Sequence, residues 1–496
     1  MSRKAALLAG VAIVGAVVLY QSGLVPVTRD GSGIWPRFFS SDDNYDALEA
    51  HRARQREEGT PAQRSLEPAA AAAGESVAPH PPAPAGESAA GAAAVREVSE
   101  ESDAAPRALA RPGFWPDFRG ARRDGRYDDT PIRTDWPPGG LSPIWRQPVG
   151  LGYASFVAAE GHAYTIEQRR GQEVVAAYDV ATGRELWTHA WDGEFVEYQG
   201  GDGPRATPTY HDGRLYALGA LGELRSLDAL TGGLIWRRNI LTDNGASNLE
   251  WGMAASPLVV DDKVIVLPGG RSGRSVVAYD RLTGEVVWTS LDDRQAYTSP
   301  MLVTLAGVRQ ILVVSATRAV GLDVEDGRLL WEYPWANHIG INVAQPLLLG
   351  ENRVFLSAGY GHGAAVFEVV RTAAGFATRT VWQNTRMKNK FTSSVLHQGY
   401  IYGLDEAILA SVDAATGDLM WKGGRYGYGQ IVLAGDHVIV LAENGDLALV
   451  RATPEGHEEL ARFPALDGRS WNHPVIVGGR LLVRNLREMA AFDLRP

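Results

Sequence analysis

Ten residues with chemical capacity recur through the back three-quarters of this chain at intervals of roughly one structural repeat: Glu167, Asp202, Arg205, Trp251, Tyr297, Asn342, Lys390, Gln430, Trp471 and Asn472. Carboxylates and amides of this kind can hold a cation, Arg and Lys can grip an anion, and Trp and Tyr can stack on a planar group. Such a mixture converging from separate elements is what a small-molecule or peptide pocket requires. Other chemistry is poorly served. The chain contains no cysteine, which removes disulfides, thiolate metal sites and thiol nucleophiles. His338, His362, His397 and His473 follow no ligand spacing, so no metal–histidine centre is expected. No catalytic residue can be assigned from the residue order. GYGHGAAV (Gly359 to Val366) has close glycines without the strand-to-helix setting of a phosphate loop, and reads as a hairpin.

The elements that must position these residues are announced by a repeated phrase: YDVATGRELW (Tyr178 to Trp187), LDALTGGLIW (Leu227 to Trp236), YDRLTGEVVW (Tyr279 to Trp288), LDVEDGRLLW (Leu322 to Trp331) and VDAATGDLMW (Val412 to Trp421). An alternating strand ends at Asp, turns through Gly at positive φ, and resumes as a strand ending in Trp. Trp187, Trp236, Trp288, Trp331 and Trp421, with Trp382 as a degenerate marker between the last two, are expected to dock each outer strand on the next unit. Repeats of about 40–45 residues are the signature of a β-propeller.

The Trp-to-Trp steps are 49, 52, 43 and then 90 residues, the last spanning two units. Phe463 takes the Trp place in a further unit, and LLVRNLREMAAFDL (Leu481 to Leu494) lacks an outer strand, which LSPIWRQPV (Leu141 to Val149) can supply. Turns that feed innermost strands, such as Ala206-Thr207-Pro208, Ala255-Ser256-Pro257 and Asn472-His473-Pro474, give an independent count of eight. The expected fold is all-β, an eight-bladed propeller over residues 112–496, closed by the N-terminal strand so that no sheet edge stays open.

Ahead of it, Arg3 and Lys4 precede 23 uncharged residues from Ala5 to Val27. Residues 1–27 are therefore expected to form a signal anchor, a transmembrane helix, in preference to a cleaved signal. The positive flank would stay cytoplasmic, giving a single-pass inner-membrane protein with its propeller in the periplasm. Residues 28–111 read as a flexible Ala/Pro/Glu-rich linker, with a charged helix-forming patch from Asp46 to Glu58. A net charge of −10 argues against nucleic acid as partner.

The repeats resemble the pyrroloquinoline quinone (PQQ) type of propeller repeat, on the spacing Asp-x-x-Thr-Gly-x-x-x-Trp, from about Phe114 to Phe492; WPDFRGARRDG (Trp115 to Gly125) resembles the lead-in of PQQ-binding-like propellers. One branch of that superfamily, the quinoprotein alcohol dehydrogenases, implies PQQ and calcium in the channel mouth. Here Trp251 would be the floor, and Glu167, Asp202 and Asn342 the candidate ligands. The adjacent cysteines and long inserts of that branch are missing, and no calcium set maps by motif. The other branch, that of BamB, implies a cofactor-free scaffold binding envelope proteins. The expectation is a monomeric, non-catalytic scaffold or ligand-sensing module with no cofactor, the alternative being a PQQ- and calcium-dependent alcohol or aldose dehydrogenase.

Overall fold

In the computed structural model the described residues are 24–29, 33–38, 41–58 and 113–496. Eight four-stranded antiparallel sheets follow one another in chain order. Blades 1 to 7 occupy 157–192, 209–239, 258–290, 301–334, 347–384, 395–425 and 430–464. Blade 8 takes three strands from the C-terminal end and its outermost strand, Pro143–Pro148, from before blade 1, paired antiparallel with Glu488–Asp493. The ring is thus closed as the sequence predicts.

The strand patterns follow from burial. Inner strands covered on both faces read as continuous apolar runs, as in His162–Arg169, whose six central residues are all buried. Outer strands alternate, as in Glu185–Asp192. The repeated phrase is a joint between blades. Asp179, Asp228, Asp280 and Asp413 each accept the backbone N–H of the residue three positions on. The Trp of one blade then donates its Nε1–H to the carbonyl just after the Asp of the next. Trp145 reaches Val180 O at 3.0 Å, Trp187 Ala229 O at 3.2 Å, Trp236 Arg281 O at 3.0 Å, Trp288 Val324 O at 3.2 Å and Trp382 Ala414 O at 3.0 Å. Trp421 uses Thr453 O at 2.7 Å. Trp331 differs: blade 5 lacks the phrase, and the indole donates to Gln310 within its own blade.

The glycine of the phrase is needed twice over. At Gly284 φ is +73°, and a Cβ there would come within 2.8 Å of the Trp236 ring. Gly284→Ala is expected to lower stability by about 1–3 kcal/mol, read as a lower urea midpoint at unchanged slope.

The lead-in segment does more than precede the ring. Trp115 bridges to Ala158 of blade 1, Phe118 packs edge-on against His473, and Arg126–Tyr127 adds a parallel strand to the innermost strand of blade 7. Between them, Arg119 donates to Ser394 O at 2.6 Å, and Arg123 donates to Pro300 O at 2.7 Å, to Pro257 O and to Asp117 Oδ1. These carbonyls belong to turns feeding blades 3, 4 and 6. Two buried guanidiniums therefore satisfy backbone groups that a bare channel would leave exposed.

The charged patch expected to form a helix from Asp46 to Glu58 does so, beginning five residues earlier. Ser41–Glu58 is a helix, α1, that lies on the flank where blades 8 and 1 meet. One stripe at helical spacing carries the contact: Tyr45 and Leu48 are buried, Arg52 reaches Tyr178 Oη at 2.9 Å and pairs with Glu185, and Gln55 reaches Gln147 Oε1 at 3.1 Å. A patch that composition marks as solvated is held because its buried arginine finds carboxylates waiting on blade 1. Upstream, Leu24–Arg29 pairs antiparallel with Gly33–Phe38, so the last four residues assigned to the apolar span, 24–27, lie in a strand. The rest of that span, and the linker from 59 to 111, lie outside the described residues, among which no helix is long and apolar enough to cross a membrane.

Candidate functional site

The turns that feed the innermost strands are stitched to one another around the axis. Ser155 N donates to Thr207 Oγ1, Ser256 N to Ser299 Oγ and Gln345 N to Ser393 Oγ, each at 2.9 Å. On this side the ring opens into a funnel of about 700 Å³, floored by Phe118 and His473. Six of the ten residues singled out by sequence line it: Arg205, Trp251, Tyr297, Lys390, Gln430 and Trp471.

The other four do not. Asn342 is buried and donates to Ser315 O at 2.8 Å, and Asn472 donates to Ala154 O at 2.9 Å, so both amides hold feeder turns. Asp202 accepts Glu197 N at 2.9 Å within the loop leading to blade 2. Glu167 points to the flank beneath α1. Burial alone would raise its carboxyl, but the guanidiniums of Arg169, Arg52 and Arg484 outweigh that and hold it down at about 2.

One wall of the funnel is a continuous run of rings and cations. Lys390 Nζ sits 4.5 Å from the Tyr428 ring centre and 5.3 Å from those of Phe391 and Tyr360. Phe391 meets Trp471 at 4.9 Å, and Trp471 meets Tyr153 at 5.3 Å. Arg205 lies 5.7 Å over Tyr153 and 4.6 Å over Phe195, and Arg469 4.6 Å over Trp471. Arg205 and Arg469 spend N–H groups on the carbonyls of Gly201 and Gly200, at 2.6 and 3.1 Å. Arg205 also lies within the field of the Glu197 and Asp202 carboxylates. Packed rings with two weakly hydrated guanidiniums and an ammonium among them attract groups that are both planar and negative.

Opposite, Trp251 and Tyr297 meet at 5.8 Å. Burial pushes the Tyr297 hydroxyl up to about 12, and the same cause raises Tyr360 to about 12, so both stay neutral donors at ordinary pH. Glu443 is occupied by Trp471 Nε1 at 2.9 Å. On the floor, His473 is held well below its usual range by burial and by Arg119, and remains a neutral ring.

Sequence reasoning passed over Tyr153, Tyr360, Phe391, Tyr428, Glu443, Arg469 and His473. Tyr153 in Tyr153-Ala154-Ser155, Tyr428 in Tyr428-Gly429-Gln430 and His473 in Asn472-His473-Pro474 stand inside feeder phrases themselves, so the signal was present. Phe391 lies one residue before the feeder phrase Thr392-Ser393-Ser394, and Arg469 two residues before Trp471, outside any such phrase.

Between blades 1 and 2, close behind the funnel's rim, Glu173 is fully buried and accepts Ala220 N at 2.6 Å and Trp191 Nε1 at 3.0 Å. Burial pushes its carboxyl up from 4.5 to about 7. The folded chain thus keeps this proton to higher pH than the unfolded chain, and stability falls as pH rises from about 4.5 to about 7, by about 3 kcal/mol in the limit. Glu173→Gln should flatten the slope across that range, as read from denaturant melts, while starting below the parent at pH 4.5 because its NH2 cannot accept the bond that one of the two carboxyl oxygens takes.

The family model described as outer membrane protein assembly factor BamB matches residues 171–423, just over half of the chain. The outer membrane protein assembly factor BamB of Burkholderia pseudomallei is 21% identical over 315 residues, covering 61% of this chain and 74% of that relative. The 1-butanol dehydrogenase (cytochrome c) of Thauera butanivorans is 27% identical over 172 residues, 30% of this chain and only 23% of the enzyme. Among solved structures, BamB from Moraxella catarrhalis aligns with TM-score 0.51 at 16% identity, over 71% of this chain and 97% of that one. The quinohemoprotein alcohol dehydrogenase from Comamonas testosteroni aligns with TM-score 0.57, also at 16% identity, over 78% and 81%. At such identities the structural likeness shows the fold alone. With the family match spanning six outer-strand Trp positions, Trp187 to Trp421, and the ring closed as described, the chain belongs to the BamB family of PQQ-like β-propellers.

Proposed function

We propose that this chain is a non-catalytic propeller scaffold of the BamB kind, held at the cell envelope by its N-terminal segment with the propeller on the extracytoplasmic side. Its funnel recognises acidic, aromatic segments of partner proteins. The observation that carries this is the wall Lys390–Phe391–Trp471–Tyr153–Arg205, along which cations and packed rings alternate on one side of the funnel. On a chain with net charge −10, such a patch is a local exception, and it favours an anionic occupant at short range.

The second reading, a PQQ- and calcium-dependent dehydrogenase, is favoured by the suitability of that wall for a planar anion. The donor set for the metal does not fit. Of the candidate ligands, Glu167 lies on the flank among three guanidiniums, Asp202 caps its own loop, and the Asn342 amide is engaged by backbone. Among the described residues no three His, Asp or Glu side chains cluster as metal ligands.

Two titrations of the purified chain decide between the readings. A fluorescein-labelled peptide of alternating Asp and Tyr should bind saturably, more weakly at high salt, and lose about tenfold in affinity with Lys390→Gln. Its Asn–Tyr and Lys–Tyr counterparts should not bind. Calcium with PQQ, followed by absorbance and by dye reduction with an alcohol and aldose panel, should give no turnover. Saturable quinone binding with dye reduction would overturn the scaffold reading.

A further inference from the structure

The loop 193–204, between blades 1 and 2, forms the rim of the funnel beside Arg205, with Val196 67% and Tyr198 60% exposed. It is bonded within itself through Glu197 and Asp202, held by Arg469 at the carbonyls of Gln199 and Gly200, and tied to blade 1 and its feeder turn. Phe195 N donates to Gln168 Oε1 at 2.7 Å, Gly203 N to Phe195 O at 3.0 Å, and Tyr153 N to Pro204 O at 2.8 Å. The Tyr153 hydroxyl holds Gly200 O, and Arg205 holds Gly201 O and Gly203 O.

One of the residues that fasten this rim, Gln168, is also one on which α1 rests. Tyr45 Oη donates to Gln168 O at 3.2 Å, and the side chain of that same Gln168 anchors Phe195, the ring under Arg205. Asp46 pairs with Arg170 at 2.9 Å, in the hairpin that adjoins the loop through Gly193 N to Gly171 O at 3.1 Å. Lower on the helix, Arg52 faces Glu167 at 3.8 Å, and Glu167 accepts Gly150 N, at the start of the turn that carries Tyr153. Two lines of direct contact therefore run from one helix face to the two sides of the rim. The helix contributes no strand to any blade, so its release leaves the ring's hydrogen-bonded sheets whole.

We infer that α1 is a positioning element for the funnel: docked through Tyr45, Leu48 and Arg52, it holds the rim loop 193–204 and Arg205 in place, so that helix docking and funnel occupancy are linked. Its consequence for binding rests on the funnel being the recognition site; the coupling of helix to rim does not. A ligand that needs the ordered rim must favour the docked helix by the same factor as the helix favours the ligand. Tyr45 and Arg52 touch no ligand in this scheme and act only through Gln168 and Glu167.

The test is hydrogen exchange on the full chain, with no ligand present. In the parent, amides 45–55 should be protected. Leu48→Asp should free them and speed exchange of amides 195–203 about tenfold, while blades 4 to 6 keep their parental rates. Tyr45→Phe, which removes only the hydroxyl on Gln168, should loosen the rim with the helix still docked. Arg52→Glu should behave as Leu48→Asp does, and adding Glu185→Arg should restore protection of both segments. Binding of the Asp–Tyr peptide should fall in parallel with rim protection. An unprotected helix in the parent, or an unchanged rim after the helix is released, would overturn the inference whatever the peptide does. A loosened rim with no peptide binding in any variant would leave the coupling standing and remove the proposed occupant.

Discussion

Deleting residues 141–149 is expected to abolish the cooperative thermal transition of the propeller and to leave an aggregating chain. Pro143–Pro148 is the fourth strand of blade 8, in register from Glu488↔Pro148 to Phe492↔Pro143. It carries Trp145, 9% exposed, whose indole docks on blade 1 at Val180 O and packs against Gly183. It also carries Arg146, paired with Glu488 at 2.8 Å. Without this strand, Glu488–Asp493 becomes an open edge, and blade 1 loses the surface it packs on. An unpaired edge beside exposed apolar faces is a template for association between chains. The graded control is Trp145→Ala, which keeps the strand but loses the indole, and should cost about 3–5 kcal/mol. A calorimetric scan that returned the parental Tm for the deletion would mean that the ring is not closed by this strand.

Replacing Arg123 by Leu is expected to cost about 3–5 kcal/mol, because it strands several groups at once. The guanidinium is buried and serves the carbonyls of Ser256, Pro257 and Pro300 as well as the Asp117 carboxylate, which Thr209 also meets at 3.2 Å. Leucine fills part of the volume and answers none of these acceptors, leaving a buried carboxylate without its counter-charge. Arg123→Lys restores the charge, but one ammonium cannot span carbonyls on blades 3 and 4 together with Asp117, so it should recover only part of the loss. The expected fall in Tm for the leucine variant is on the order of 5 °C. Phe118 follows Asp117 directly and floors the funnel, so the same variant should also weaken peptide binding. A leucine variant as stable as the parent would show that the plug contributes nothing to closing the channel.

The ring itself was legible because it is written repeatedly. Asp280, Gly284 and Trp288 do the same work as Asp228, Gly232 and Trp236, and each does it with its nearest neighbour in sequence and in space. Even the exceptional closing strand could be found, since Leu141 to Val149 matches the phrase that the last blade lacks. Residues in the feeder turns, such as Trp251 and Gln430, could be assigned to the funnel because a propeller gathers those turns at one mouth.

What repetition does not encode had to wait for tertiary structure. Glu167 lies near the end of the second strand of blade 1 and by position alone could face the mouth; three arginines, Arg169, Arg52 and Arg484, draw it to the flank. Arg119 and Arg123 look like part of a polar lead-in until the ring supplies buried carbonyls for them to satisfy. The helix Ser41–Glu58 has too narrow an apolar stripe to announce a docking face, and it docks through a buried arginine. For Arg119, Arg123 and Arg52 the deciding partners lie more than a hundred residues away, and so do two of the three arginines around Glu167. Local sequence fixes the conformation of a segment, whereas the destination of a charged side chain depends on which desolvated counter-groups the finished fold brings within reach.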